Sequence, residues 1–577
     1  MQLTDAGAIF GNLRPAGAAQ AKANSRPAKT ARGRALSAGP SPAIVRPFSA
    51  DRTPPLPMPR PPSSAKSSSS PAAAEAATAS RTTQMLLGLI CFVAGAGVMV
   101  IEISANRLLA PDFGNSLYTW TSLIGVILVS FSVGGFLGGW WADKWGSLVL
   151  LGSLLMGAAF FTLLIPVLSQ ALSSSLVSAG LIAGPMSISL LLFALPGILL
   201  GAVSPACVRF YSMAGHDAHV GASAGTISML GSLGSFAGTF LSGFILLGTF
   251  GVKSIFLGVG VVLLLLSAVA FWMAKVHLVK KSVHFGASVA VLIGALIYQP
   301  AMGKDVVYVH DSFYHRIEVI EQGENRYLQL DSTMEGGMRV KDSDLVLPYQ
   351  QYWQLVKLND KLKVQHALFL GAGAFGMPEQ VSKLGPDVSV DVIEIDPAVI
   401  ATGRKYFNLD KFPAVQAHAS DARGFVRSAT QKYDLVFGDA YNGIRHIPAH
   451  LVTKEFFQQV HDHLTDEGVF LMNVISSVQG EHAELLGAIL KSLQEVFPEV
   501  QIFGVGGDPN EAQNVILLAS THSWKPWLED RFYVQGGWQN NLVSTRVPFA
   551  HWPAVAECPL TDDWNPVDVM IARQLAH

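Results

Sequence analysis

Six stretches between residues 82 and 303 contain no Asp, Glu, Lys or Arg: 82–101, 113–142, 145–208, 218–252, 254–274 and 282–303. A chain crossing a bilayer must satisfy its backbone polar groups internally, which forces a helix, and at 1.5 Å per residue a crossing takes about 20 apolar residues. The stretch 145–208 is long enough for two crossings, divided near Ser173–Ser175, so the sequence predicts about seven transmembrane helices over 85–300. So many adjacent apolar runs would need a very large core to be buried in water, which excludes a soluble helical bundle. Only 14% of the chain is charged, against about 25% in soluble domains, and the deficit falls in this region.

Residues 1–84 are of a different kind. They are rich in Ala, Ser, Pro and Arg and carry eleven Lys/Arg against three acids, Asp5, Asp51 and Glu75. Such a segment buries too little apolar surface to offset its chain entropy and is expected to be disordered. An organelle-type targeting segment, a solvated tail and a start assigned too early all fit this composition. Cys91, Cys207 and Cys558 are far apart with no CxxC pair, which excludes a disulfide scaffold and argues against a structural zinc site. No metal site is expected. The net charge of −2 gives no reason to expect a nucleic-acid partner.

Within the apolar half, Gly134, Gly135, Gly138 and Gly139, and then Gly231, Gly234 and Gly238, recur at helical spacing. They predict close helix–helix packing more readily than a substrate path. Glu102 and Arg107 stand at the end of the first helix, where an ionisable pair serves either function or an interfacial contact. Short-loop basic residues set orientation: Lys144, Arg209, Lys275, Lys280 and Lys281 lie in even-numbered loops, Arg107 and Lys253 in odd-numbered ones. The N-terminus is therefore expected in the cytoplasm, and seven spans would put the C-terminal half outside.

Residues 301–577 read as soluble. A β-rich lead-in, 301–360, alternates apolar and polar residues over Val306–His310, Arg316–Glu321 and Arg326–Leu330. Over 361–577, apolar runs at His366–Leu370, Val388–Ile395, Ala414–Ala419, Asp434–Phe437 and Val469–Val474 alternate with helical patterns. That order predicts a doubly wound, parallel α/β sheet. The runs Val500–Val505 and Asn514–Ala519, with no helix between them, predict an antiparallel pair closing it.

The chemistry lies at the strand ends. Gly371-x-Gly373-x-x-Gly376 follows the first strand and opens a helix, the setting in which backbone closely approaches a ligand. Glu394 ends the second strand, where an acid accepts hydrogen bonds from ribose hydroxyls. Asp421-Ala422 follows the third, and Asp439 ends the fourth. Three acids at consecutive strand tips converge on the crevice outside the carboxyl edge. With no basic residue in the glycine loop, the set suits a cationic nucleoside, a sulfonium, better than a pyrophosphate.

The stretch from about 311 to 480 resembles the aminopropyltransferases, the spermidine and spermine synthases. The residues that carry the likeness are Tyr327-Leu-Gln-Leu-Asp331, Pro348-Tyr-Gln350, Leu370-Gly-Ala-Gly-Ala-Phe-Gly376, Val392-Ile-Glu-Ile-Asp-Pro397, Ser420-Asp-Ala422 and Tyr433-Asp-Leu-Val-Phe-Gly-Asp439. They continue through Ile447-Pro-Ala-His-Leu-Val-Thr-Lys-Glu-Phe456 and Leu464-Thr-Asp-Glu-Gly-Val469. With Ile101–Arg107, Trp141–Lys144 and Asp562–Pro566, the whole chain is similar to bacterial membrane proteins that carry such a domain behind a multi-helix segment.

The resemblance implies a Rossmann-like methyltransferase-type fold in a multi-pass inner-membrane protein. It implies transfer of an aminopropyl group from decarboxylated S-adenosylmethionine, a co-substrate rather than a resident cofactor, to a diamine or polyamine, with methylthioadenosine as product. Asp439 would be the proton acceptor. Gly371, Gly373, Gly376, Glu394, Asp421, Ala422 and Pro448 would hold the nucleoside; Glu335, Tyr349, Gln350, Ala374, Tyr441 and Asn442 would lie at the amine. The implied partners are a small amine and the lipid bilayer, with a homodimer admitted and nucleic acid excluded.

Three departures stand out. Ala374 replaces the family's glycine-loop Asp, Glu335 its Gln, and Asn442 the second acid of its Asp-x-x-Asp. Each lost carboxylate contact to an ammonium weakens binding by roughly 1.5–3 kcal/mol. An S-adenosylmethionine-dependent methyltransferase and a non-catalytic polyamine or nucleoside sensor coupled to a transporter are therefore kept as alternatives. Nucleoside donors are made in the cytoplasm, so that side is expected for the soluble half. This conflicts with seven spans unless the shortest stretch, Gly286–Tyr298, does not cross or the N-terminus is outside.

Overall fold

The computed structural model describes residues 71–214, 220–275, 282–297, 303–440, 446–530 and 538–575. The basic tail before residue 71 lies outside them, as do Tyr441 and Asn442. The apolar half consists of helices α1 (Pro71–Phe113), α2 (Leu117–Trp145), α3 (Leu148–Val177), α4 (Gly180–Gly201), α5 (Val203–Ala214), α6 (Val220–Leu241), α7 (Leu247–Thr249), α8 (Val252–Met273) and α9 (Ser282–Ile297). Among the described residues, six stretches are long and apolar enough to cross a membrane: Arg81–Phe113, Leu117–Trp145, Leu148–Ser173, Ile182–Ala214, Val220–Thr249 and Val252–Met273. The stretch expected as a seventh span holds α9, a shorter helix of 16 residues.

The glycines act as packing surfaces. A Cβ on Gly134 or Gly138 of α2 would run into the backbone of Ile198 or Ala202, and one on Gly234 or Gly238 of α6 into that of Phe92 or Ala96. Helices α2 and α4, and α1 and α6, therefore meet backbone to backbone, the close approach that small residues permit where water supplies no driving force.

The polar half begins with a four-stranded antiparallel meander, β1 (Val306–Asp311), β2 (Arg316–Gln322), β3 (Asn325–Leu330) and β4 (Thr333–Arg339). A seven-stranded sheet follows, made of β5 (His366–Leu370), β6 (Ser389–Glu394), β7 (Val415–Ala419), β8 (Tyr433–Gly438), β9 (Leu464–Ser476), β10 (Glu499–Gly504) and β11 (Gln513–Ser520), in the order β10-β11-β9-β8-β5-β6-β7. Strands β5 to β9 pair in parallel, and β11 runs antiparallel between β9 and β10. The continuous apolar character of β5 and β8 fits strands covered by helices on both faces. The strand order reverses at β5, which sits between β6 and β8, so the crevice at their carboxyl ends is the switch-point site of an open α/β sheet.

A buried polar contact joins the halves. Arg107, near the end of α1, donates from Nη1 to the carbonyl of Tyr314 (2.6 Å) and from Nη2 to that of Ser312 (3.3 Å). Its Nη1 also stands 3.9 Å from Asp331 Oδ1, with both side chains buried. Asp331 adopts φ +53° at the β3–β4 turn, accepting from Arg316 N at 3.0 Å and pairing with His315 Nδ1 at 3.1 Å. Of the two readings of Arg107, the structure supports the interfacial one. Breaking a buried pair by removing one partner costs about 3–5 kcal/mol. Arg107→Ala is accordingly expected to lower the unfolding midpoint of the purified full chain by several degrees and to speed proteolysis between the halves. An unchanged midpoint would show that the contact contributes nothing.

Candidate active site

The site is assembled by the ends of four parallel strands. At the end of β5, Gly371 has φ +100°, and a Cβ there would meet the backbone of Asp439. Gly373 has φ +48°, and a Cβ would press on the Glu335 carbonyl at 3.0 Å. Both positions combine a left-handed backbone with close approach, which only glycine accommodates freely. The end of β8 is tied to that of β5 by Asp439 N donating to Leu370 O at 2.7 Å.

A cavity of about 240 Å³ lies outside these ends, lined among others by Gly371, Gly373, Glu394, Asp421, Ala422 and Pro448. These were the expected nucleoside-side residues, except for Gly376. A second cavity of about 230 Å³ is lined by Thr333, Tyr349, Asn473 and Asn514, among others. Glu335 and Asp439 border both cavities. They form the partition between two chambers.

Each acid is held differently. Glu394 accepts from Asp396 N at 2.9 Å and Ala372 N at 3.2 Å. Burial raises its pKa, while these amide bonds oppose the rise. Asp421 caps the helix that starts at Ala422, accepting from Gly424 N at 2.7 Å, and its other oxygen faces His450 Nε2 at 3.2 Å.

Asp439 accepts from Asn473 Nδ2 at 2.9 Å, and the Tyr349 hydroxyl stands 3.2 Å from its other oxygen and 2.7 Å from the Glu335 carbonyl. Asn473 is in turn held by Asn514 at 3.0 Å. Burial pushes the Asp439 carboxyl up to about 7, against the lowering effect of Asn473 and Tyr349. Burial lifts Glu335 well above the carboxylate range, and the charges of Asp439, Glu394 and Asp331 lift it further. Its Oε1 has no hydrogen-bond partner among the described residues.

Three expected ligand contacts line neither cavity. Gln350 is buried in the short helix Pro348–Lys357, where its Oε1 accepts from Leu347 N at 3.2 Å and caps the first turn. Gly376 starts the helix Gly376–Ser382 and packs toward Leu345. Ala374 is buried against β4, so close that a Cβ on Gly336 would come within 2.6 Å of its nitrogen. Glu335 is the neighbour of that same Gly336. The lining residues that were not expected include Asn115, from the turn between α1 and α2, with Tyr314, His315 and His446. Burial holds the His446 pKa below its usual value. His446 stands beside the motif at Ile447-Pro448, a usable signal, whereas nothing near Asn115 in sequence marks it.

Residues 347–506 match the family model described as the spermine/spermidine synthase domain. Over this segment the chain is similar to the spermine/spermidine synthase family. A polyamine aminopropyltransferase of Vibrio vulnificus is 29% identical over 225 residues, covering 37% of this chain and 71% of that protein. A polyamine aminopropyltransferase of Chromobacterium violaceum is 32% identical over 164 residues, covering 27% of this chain and 60% of that protein, less than two thirds of its length. The human eEF1A lysine and N-terminal methyltransferase is 27% identical over 166 residues, covering 27% of this chain and 23% of that protein.

The raised carboxyls give the protein a pH signature. A group whose folded pKa lies above its unfolded value binds its proton more tightly in the folded state, so stability grows as pH falls through the folded pKa. The ligand-free protein is expected to unfold at higher temperature at pH 5.5 than at pH 8. Asp439→Asn should flatten that difference, which differential scanning fluorimetry at both pH values would read; an equal difference in the variant would refute the assignment.

Proposed function

We propose that the protein is a membrane-anchored aminopropyltransferase using decarboxylated S-adenosylmethionine and a diamine or polyamine acceptor. The observation that carries this reading is the partition of buried acids. Glu335 and Asp439, with Glu394 beside them, place several carboxyls where desolvation penalises negative charge, a cost that a bound cation relieves. Both the sulfonium donor and the ammonium acceptor are cations.

In this reading the cavity of Glu394 and Asp421 takes the nucleoside, and the chamber of Tyr349, Asn473 and Asn514 takes the amine. Asp439 receives a proton from the acceptor ammonium; the freed nitrogen lone pair attacks the aminopropyl carbon bonded to sulfur. The carbon–sulfur bond breaks with its electron pair left on sulfur, giving neutral methylthioadenosine and the extended amine. Tyr349 and Asn473 fix the carboxylate's orientation, so the reaction gains from positioning as well as proton transfer. Glu335 supplies, from β4, the carboxylate absent at Ala374, and would meet an ammonium of donor or acceptor.

Ala374 and the likeness to a methyltransferase support a second reading, methyl transfer from S-adenosylmethionine. The nucleoside product separates the two. Incubation with each donor and a panel of amines is expected to release methylthioadenosine; S-adenosylhomocysteine would instead establish the second reading, and no product with retained binding would indicate a sensor. Asp439→Asn should lower kcat/KM by about 10²–10⁴-fold, the usual contribution of a positioned base. The wild-type kcat/KM should fall as pH drops below about 7, where Asp439 becomes protonated; a profile flat from pH 6 to 8 would remove Asp439 from the proton step.

A further inference from the structure

We propose that the membrane half crosses the bilayer seven times, so that the catalytic domain stands on the non-cytoplasmic face, opposite the start of α1. This inference is independent of the reaction assigned above.

The turns that touch the catalytic domain define its face. Asn115, in the α1–α2 turn, lines the nucleoside cavity. Leu117 N, at the start of α2, donates to Asp568 Oδ2 at 3.4 Å, and Tyr118 packs against the catalytic core. At the start of α8, a Cβ on Gly251 would lie 2.8 Å from Asp311 Oδ2, and one on Gly248 4.0 Å from Phe313. The first and fifth turns therefore share a face with the catalytic domain.

Helix α8 leaves that face at Val252 and ends at Met273, 22 residues on, which is about 33 Å of helix. Its far end is fixed beside the start of α3: Ser267 Oγ donates to Gly152 O at 2.7 Å, and a Cβ on Gly152 would lie 2.7 Å from Phe271. Helix α3 follows the α2–α3 turn, which is separated from the α1–α2 turn by the 29 residues of α2. Met273 thus lies on the opposite face, yet β1 begins at Val306 among residues that meet the first and fifth turns.

The chain must return between 274 and 305, and α9 is the helix in that interval. Val291 and Leu292 of α9 pack against the buried core of the membrane helices. Sixteen residues supply about 24 Å of rise, and the uncharged stretch runs on to residue 303. Helix α9 is therefore a crossing, and the count is odd.

Charge then assigns the faces. The face away from the catalytic domain receives Lys144, Arg209 and Lys275, with Arg81 at the start of the first span. The catalytic face receives Arg107, which is consumed in the contact with Ser312 and Tyr314, and Lys253. Basic loops stay in the cytoplasm. Of the arrangements compatible with the sequence, this selects a catalytic domain outside the cytoplasm, against the cytoplasmic side expected from where nucleoside donors are made.

The chain carries its own reporter. Cys558 is exposed in the catalytic half, whereas Cys91 and Cys207 are buried in the membrane half. A membrane-impermeant maleimide applied to spheroplasts of a bacterial host expressing the full chain is expected to label Cys558 without lysis, with Cys558→Ser abolishing the signal. In the Cys558→Ser background, Lys144→Cys, exposed at the α2–α3 turn, should react only after lysis; detergent-solubilised protein sets full labelling for each. Protection of Cys558 until lysis would overturn the assignment of faces, and labelling of both positions from one side would overturn the odd count. Either result leaves the product assay above untouched.

Discussion

The structure turns on a buried guanidinium. Arg107 rises from a membrane helix, yet the described groups it bonds belong to the catalytic half: the carbonyls of Ser312 and Tyr314, with Asp331 just beyond. An isolated buried cation is too costly to persist, so the two halves stabilise one another's polar groups and neither presents a satisfied surface alone. The β1–β2 turn that accepts the guanidinium delivers Tyr314 and His315 to the cavity outside the strand ends. Asp331, held below its usual pKa against burial by His315, the Arg316 amide and Arg107, passes negative charge toward Glu335. The anchor and the site are thus linked electrostatically as well as sterically.

The catalytic chemistry follows from where charge is withheld. In most folded domains buried carboxyls are paired; here Glu335 faces two cavities with Oε1 unpartnered among the described residues, and Asp439 has only neutral donors, Tyr349 and Asn473. Neutral donors orient a carboxylate without neutralising it. A cation entering either chamber therefore meets an acid whose proton affinity is high and whose direction is fixed, which is what a base acting on an ammonium requires.

The sequence revealed whatever follows from local periodicity. Charge-free runs marked the apolar helices, continuous apolar runs marked the parallel strands, and acids placed just after those runs fell at the carboxyl edge because strand ends define that edge. Gln350 and Gly376 show the limit. Both belong to recognisable motifs, but whether such a residue touches ligand or caps a helix depends on a turn of backbone that the motif does not encode. Asn115 marks a different limit: it is some 200 residues distant from the other cavity residues, and only the packing of α1 and α2 against the catalytic half brings it there.

The participation of Asn115 bears on what the membrane half is for. An anchor needs only to hold a domain near the bilayer, and a flexible linker would suffice. Here the first turn supplies part of one wall of the cavity outside the strand ends, with Asn115 Oδ1 accepting from Asn106 Nδ2 at 2.9 Å, so the asparagine amide is oriented by its own helix. That bond fixes the carbonyl oxygen and turns the amide nitrogen, a donor, away from it. The geometry of the cavity depends on the angle between α1 and α2. Gly134 and Gly138 hold α2 backbone to backbone against α4, and Gly234 and Gly238 hold α6 against α1. The glycine-mediated packing inside the membrane and the shape of the nucleoside cavity are thus parts of one rigid construction, and a change that loosened the helices would be felt at the strand tips.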